Sequence, residues 1–330
     1  MIRRPLVVLA LLYGCGDNLT GTPLDQLDAE ADRVRCERLV RCGLFADDGS
    51  CDGFFRLRPD LDLTAAIAAG VVRYDGASAS QCHDALATIS CDTSARDARI
   101  QPRACTQMFS GTLDDDAPCS LDEECSSGTC SIPVCPELCC TGTCREVRPI
   151  AKVDEPCELD LDCVPDTFCG KDLACHPLVA EGGLCDDDRE CDYHLGCIGP
   201  SDLMAGNCRA LPLVGESCPY LRCAELGAVC DASHVCVAVG LPGAPCTSGD
   251  DCSPVARCDA DAGVCTEVPR LGEACTFACA GESFCDVMGS QTCVAPRADT
   301  EPCFSDFECA SLYCAEGPAF DACAERPLCF

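Results

Sequence analysis

The stretch EPCELDLDCVPDTFC, residues 155–169, decides how this chain is built. Its cysteines, Cys157, Cys163 and Cys169, are followed by a fourth at Cys175, and acidic, small and turn-forming residues fill the gaps. A unit this short cannot enclose an apolar core, so covalent links must replace burial. The same phrase returns as APCSLDEECSSGTC at 117–130, GLCDDDRECDYHLGC at 183–197 and ESCPYLRCAELGAVC at 216–230. It returns again as APCTSGDDCSPVARC at 244–258, EACTFACAGESFC at 273–285 and EPCFSDFECASLYC at 301–314.

The opening cysteines, Cys119, Cys157, Cys185, Cys218, Cys246, Cys275 and Cys303, stand 38, 28, 33, 28, 29 and 28 residues apart. A period near 28–30 with four cysteines per unit marks modular repetition. Seven repeats are expected over 115–330, starting near residues 117, 155, 183, 216, 244, 273 and 301. After Cys157, Cys163, Cys169 and Cys175, the half-cystines expected are Cys185, Cys191, Cys197 and Cys208, then Cys218, Cys223, Cys230 and Cys236. Cys246, Cys252, Cys258 and Cys265 follow, then Cys275, Cys279, Cys285 and Cys293, and last Cys303, Cys309, Cys314 and Cys323. An acidic residue precedes the second cysteine in five copies (Glu124, Asp162, Glu190, Asp251, Glu308), with Arg222 and Ala278 in the other two. Gly, Pro, Asp and Ser between cysteines mark turns, which predicts short β-hairpins and loops in an extended rod.

Residues 22–110 read differently. Thr22-Pro23 opens a helix with Asp25 in its first turn. Leu24, Leu27, Ala31 and Val34 recur at near-helical spacing. Further helices are expected over 63–72, over 77–89 and around Cys105, Met108 and Phe109, with a turn at Tyr74-Asp75-Gly76. Cys36, Cys42, Cys51, Cys82, Cys91 and Cys105 allow three bridges, with 15 possible connectivities. The fold class is therefore a small disulfide-rich modular protein: a bridged α-helical domain followed by loop and β-hairpin repeats.

Composition agrees. Thirty-nine cysteines in 330 residues exceed the ~8–10% that marks a disulfide scaffold, and tryptophan is missing. So many thiols exclude a reduced cytosolic enzyme. Residues 1–110 carry 15 acidic and 12 basic side chains and residues 111–330 carry 40 and 11, giving the net charge of −32. Such an acidic array repels nucleic acid, which needs Lys and Arg to displace counterions.

At the N-terminus, Arg3 and Arg4 precede a short apolar run at 6–12, too short to span a bilayer and read as an export signal. The run ends in Leu12-Tyr13-Gly14-Cys15, which resembles the lipobox of bacterial lipoproteins, with Tyr13 departing from the usual small or aliphatic residue. The resemblance implies cleavage of residues 1–14, lipidation of Cys15 and a lipid-anchored linker over 15–21. Three acyl chains would exceed the two that stable membrane anchoring requires. With Gly16 after the cysteine, the resemblance also implies sorting to the outer membrane or cell surface. The cysteine spacing and the acidic-Cys pairs resemble Dickkopf N-terminal and EB-type modules and the cysteine-rich repeat lipoproteins of myxobacteria. That likeness concerns architecture, since no receptor-contacting residue can be matched.

Chemistry has few candidates. Cys139-Cys140-x3-Cys144 and Cys275-x3-Cys279 have zinc-like spacing, but an exported chain this rich in cysteine is oxidised. Asp259-x-Asp261-x-Gly263, Asp114-Asp115-Asp116 and Asp186-Asp187-Asp188 offer hard oxygens for Ca²⁺, yet none completes an EF-hand loop. No G-x-S-x-G, H-E-x-x-H or C-x-x-C occurs, and Cys175-His176 uses a cysteine expected in a bridge. An enzyme site belongs, if anywhere, around His83 and Asp84. The reading is a non-catalytic, lipid-anchored envelope protein acting in adhesion, binding or display, with a membrane and a protein or surface glycan as partners. The alternative is an extracellular Ca²⁺-binding structural protein. One irregularity stands out. The first block holds seven cysteines, including Cys135, Cys139 and Cys140, and the last holds five, ending in Cys329. Local pairing would strand one thiol in each.

Overall fold

The computed structural model describes residues 21–51, 61–133, 139–146, 150–199, 205–276, 279–281, 283–315, 317 and 321–327. The expected export signal, Cys15, most of the expected linker after it, Cys135 and Cys329 lie outside them, and the surplus-cysteine question falls largely there.

The helical region begins with a 3₁₀ turn at Leu24–Gln26 and continues as α1 (Leu27–Arg41). Short α2 (Asp48–Cys51) and α3 (Leu61–Ala69) follow. The helix expected over 63–72 ends early: Gly70, at φ +78°, stops it, and Val72 enters strand β1 (Val72–Tyr74). A β-branched pair after a left-handed glycine favours extended chain. Asp75 caps α4 (Gly76–Thr88), its carboxylate accepting the Ala77 N–H at 3.0 Å. After α5 (Arg96–Arg99) and α6 (Arg103–Gln107), Phe109 lies in β2 (Phe109–Gly111), antiparallel to β1. It does not belong to the last helix, because its backbone pairs with Tyr74. Helix α4 packs on α1 and α6. Bridges Cys36–Cys51, Cys42–Cys91 and Cys82–Cys105 cross-link the region, and Val34, Phe45, Ala66, Val72 and Ala79 are its buried centre.

Beyond residue 115 the elements are two- and three-stranded antiparallel sheets and single 3₁₀ turns. In 157–175 the first cysteine joins the third and the second joins the fourth, Cys157–Cys169 and Cys163–Cys175. The crossed arrangement recurs in Cys185–Cys197 and Cys191–Cys208, and in Cys218–Cys230 and Cys223–Cys236. It recurs in Cys246–Cys258 and Cys252–Cys265, in Cys275–Cys285 and Cys279–Cys293, and in Cys303–Cys314 and Cys309–Cys323. In the first block Cys119–Cys130 likewise joins first to third, but Cys125–Cys144 joins the second cysteine to the seventh. The cystines form most of the core: Cys157, Cys163, Cys169 and Cys175 cluster with Ala151, and Phe168 is buried in the same unit.

The hairpins do not form a free rod. They wrap around the helical region, and complementary surfaces explain why. Leu226, Val239 and Val255 pack on the cluster of Cys36, Leu44, Phe45 and Cys51. Leu226 N–H donates to Cys91 O at 2.6 Å and Thr93 N–H to Ala224 O at 2.8 Å. Gly227, at φ +89°, lies so close to the end of α1 that a Cβ there would sit 2.6 Å from Cys42 O. The arginines of the less acidic region reach toward the acidic hairpins. Arg99 donates to the carbonyls of Cys191 and Arg189, both at 2.7 Å, and Arg96 pairs with Asp166 at 3.1 Å. Near the C-terminus, Arg326 returns to buried Asp62 at 3.3 Å. No helix among the described residues is long and apolar enough to cross a membrane.

Candidate functional site

The acidic residue before the second cysteine has a local task. Asp162 accepts the N–H groups of Glu158 and Leu159 at 2.8 and 2.9 Å, and Asp251 those of Thr247 and Ser248 at 2.6 and 2.8 Å. Glu124, Glu190 and Glu308 accept the N–H four residues upstream in the same way. These bonds close the 3₁₀ turn and hold the Asp251 carboxyl below the ordinary range. A second carboxylate begins the turn. Asp122, Asp160, Asp188 and Asp306 accept the N–H of Cys130, Cys169, Cys197 and Cys314 at 2.6–2.8 Å. A third precedes the first cysteine: Glu155, Glu216, Glu273 and Glu301 each accept an N–H three residues upstream. Much of the array's acidity is therefore backbone-capping in a fold with little regular secondary structure.

The Ca²⁺ candidates follow this pattern. Asp259 accepts the N–H groups of Asp261 and Ala262 at 3.0 and 3.1 Å, and Gly263 takes φ +68°, so the string turns the hairpin between Ala256–Asp259 and Val264–Glu267. Asp261 is exposed there. The Asp186–188 run disperses to separate partners. Asp186 meets Lys171 Nζ at 2.7 Å, Asp187 caps Arg189 N–H at 3.1 Å, and Asp188 pairs with Arg222. Although desolvation opposes it, Arg222 with the Cys197 N–H holds the Asp188 carboxyl below its usual range.

The zinc-like strings are disulfides. Cys144 bonds Cys125, Cys275 bonds Cys285, Cys279 bonds Cys293, and Cys139 and Cys140 are likewise disulfide-bonded. Three-sulfur groups such as Cys157, Cys163 and Cys175 lie within 4.8 Å because two bridges cross there. Their sulfurs are bonded to one another and offer no thiolate.

His83 is buried on α4 against α1, its Nδ1 without a partner, and burial pushes its pKa down. His176 bonds Asp172 at 2.8 Å on an exposed turn. Sequence reading missed a second histidine–aspartate pair. His194 Nδ1 lies 2.7 Å from Asp92 Oδ2, while Ser94 backbone N–H and Oγ both reach Asp92 Oδ1. The three residue types are those of a hydrolase, but here hydroxyl and imidazole each bond the carboxylate, whereas a catalytic triad sets the imidazole between the other two. The group locks a seam, aided by His194 N–H to Ser94 O at 2.9 Å and by Arg99 over the Tyr193 ring at 5.4 Å. A separation of 102 residues kept the pair out of reach of any motif.

Two clefts open along these seams. One, of about 650 Å³, lies between residues 46–50 and a hairpin wall that includes Leu241, Val255, Glu267 and Arg270. The other, of about 710 Å³, runs from Asp75 and Gln107 to Asp122 and Ser127. Both have mixed polar and apolar walls. Fold and surface together define a disulfide-rich protein whose antiparallel hairpins clasp an N-terminal helical region. A scan against protein-family models and searches of curated proteins and of solved structures found no match to this chain.

Proposed function

We propose that this chain is an exported, lipid-anchored cell-envelope protein that acts by binding and display, without turnover. In this reading residues 1–14 are removed, Cys15 carries the acyl chains, and seven cystine-cored modules stand on the envelope, where an oxidising compartment keeps such bridges intact. The carrying observation is the recurring crossed pair of bridges, exemplified by Cys157–Cys169 and Cys163–Cys175, set around a helical region. Thiolate chemistry is unavailable to bridged sulfurs, and the fixed hairpins suit several weak contacts that add through effective concentration. The likeness to Dickkopf N-terminal, EB-type and myxobacterial repeat lipoproteins supports the architecture of this proposal.

The test is metabolic labelling with an alkyne fatty acid, followed by fractionation and intact mass with and without alkylation. The wild-type chain is expected to carry label in the envelope fraction and to resist alkylation, and Cys15→Ser to lose the label and be released. Unlabelled protein with reduced thiols would sink the proposal. Binding is scored separately, as retention of the purified, acyl-free chain on intact envelopes.

A further inference from the structure

Among the described residues, the three most exposed large apolar side chains lie in one part of the chain: Met288 at 81%, Phe307 at 78% and Phe304 at 75%. The turns that carry them are joined through one guanidinium. Arg297 pairs with Glu308 at 3.5 Å and with Asp286 at 3.8 Å, and its guanidinium lies over the Phe284 ring at 5.4 Å. Glu308 accepts the Phe304 N–H, while Asp286 accepts the Ser290 N–H and so closes the loop that carries Met288. Two apolar turns from successive hairpins are thus tied to the same arginine.

The earlier hairpins show what this position does. The residue after the first cysteine is Glu158, Asp186 and Thr276 in three of them, and each meets a basic side chain of the preceding hairpin: Arg145, Lys171 and Arg257. In these three units it is a docking position that receives a cation. In the last hairpin it is Phe304, and the nearby Arg297 is engaged by Asp286 and Glu308. Asp299, Glu301 and Asp306 add negative charge to the same stretch of chain. A second copy would bring −32 against −32. Apolar anchors in an acidic frame call instead for lysines or arginines around an apolar face.

We infer that the Met288, Phe304 and Phe307 surface docks a cationic amphipathic segment of a partner protein. The inference rests on the binding reading above and supplies its partner chemistry. The probe is a fluorescent lysine–leucine peptide with leucines at helical i, i+3, i+4 spacing, titrated against the full chain at physiological ionic strength. The expected result is saturable binding, weakened about tenfold or more in a Met288→Ser, Phe304→Ser, Phe307→Ser variant, and unchanged in Leu184→Ser, another exposed apolar site. These side chains are exposed, so the variant is expected to fold; unchanged circular dichroism and bridge mass check it. No binding, or equal binding of a scrambled peptide of the same composition, overturns the inference. Equal binding by the triple variant overturns it too, while leaving the general binding reading standing. Dimerisation that the triple variant abolishes assigns the surface to a second copy, and binding to phosphatidylcholine vesicles that it abolishes assigns it to lipid; either overturns the inference.

Discussion

The helical region buries Val34, Phe45, Ala66 and Val72 and spreads three bridges over its length, whereas the hairpin unit at 157–175 buries Phe168 and, as its cluster, its own four half-cystines with Ala151. The two therefore fail differently. Removing a bridge from the helical region leaves side chains that still seek one another. Removing one from a hairpin unit takes away half of its core. Their dependence is also mutual, because Leu226, Val239 and Val255 complete the helical region's apolar cluster.

The largest expected effect tests that asymmetry. Cys42–Cys91 closes a span of 49 residues and Cys157–Cys169 one of 12. Chain entropy assigns about 4 kcal/mol to the first and about 3 kcal/mol to the second. Cys42→Ala with Cys91→Ala is expected to lower the denaturation midpoint followed by helical circular dichroism. It should also loosen the hairpins, since the carbonyls of Cys42 and Cys91 border Gly227 and Leu226. Cys157→Ala with Cys169→Ala is expected to open 155–177 to protease and leave the helical midpoint nearly unmoved. Equal shifts of that midpoint would erase the distinction between the regions.

Much of this architecture was legible in cysteine spacing and little of the docking was. The period at Cys157, Cys185 and Cys218 announced short cross-linked hairpins, but pairing of first to third and second to fourth cysteines depends on three-dimensional geometry. The acidic residue before the second cysteine was visible as a regularity; its task was not, because the N–H groups it accepts exist as a cluster only once the 3₁₀ turn forms. Asp259 and Asp261 have the composition of a cation loop and the geometry of a hairpin turn. Arg99 reaching Cys191 O spans 92 residues, and nothing local encodes it. The expectation of a rod failed for the same reason.

A smaller effect probes the seam. Gly227→Ala places a Cβ against Cys42 O in a left-handed backbone, a strain of order 1–3 kcal/mol. Hydrogen exchange at the Leu226 N–H, bonded to Cys91 O, is expected to quicken while exchange at Cys169 N–H, bonded to Asp160, stays slow. Quickening at both sites would mean that hairpins and helical region open as one cooperative unit.

The smallest effect separates the two regions by pH. Burial lowers the His83 pKa below its unfolded value of 6.5, although Glu30 and Asp84 oppose the shift and Arg33 assists it. The unfolded chain then binds the proton more readily, so the His83 contribution to stability is full above about pH 6.5 and declines as pH falls below it. The capping carboxylates of the hairpins behave otherwise. Asp251 and Asp188 are held below their ordinary value of 3.8, so their contribution is present above that value and is lost only as pH falls further. Acidification from pH 7 to 5 is therefore expected to lower the helical midpoint slightly, and the hairpin 3₁₀ turns should keep slow exchange until the carboxylate range. His83→Phe keeps an aromatic ring in the buried site and has no proton to bind, so it should flatten the helical midpoint between pH 7 and 5. If the variant retains the wild-type slope, another group controls that window and the two regions share a single acid response.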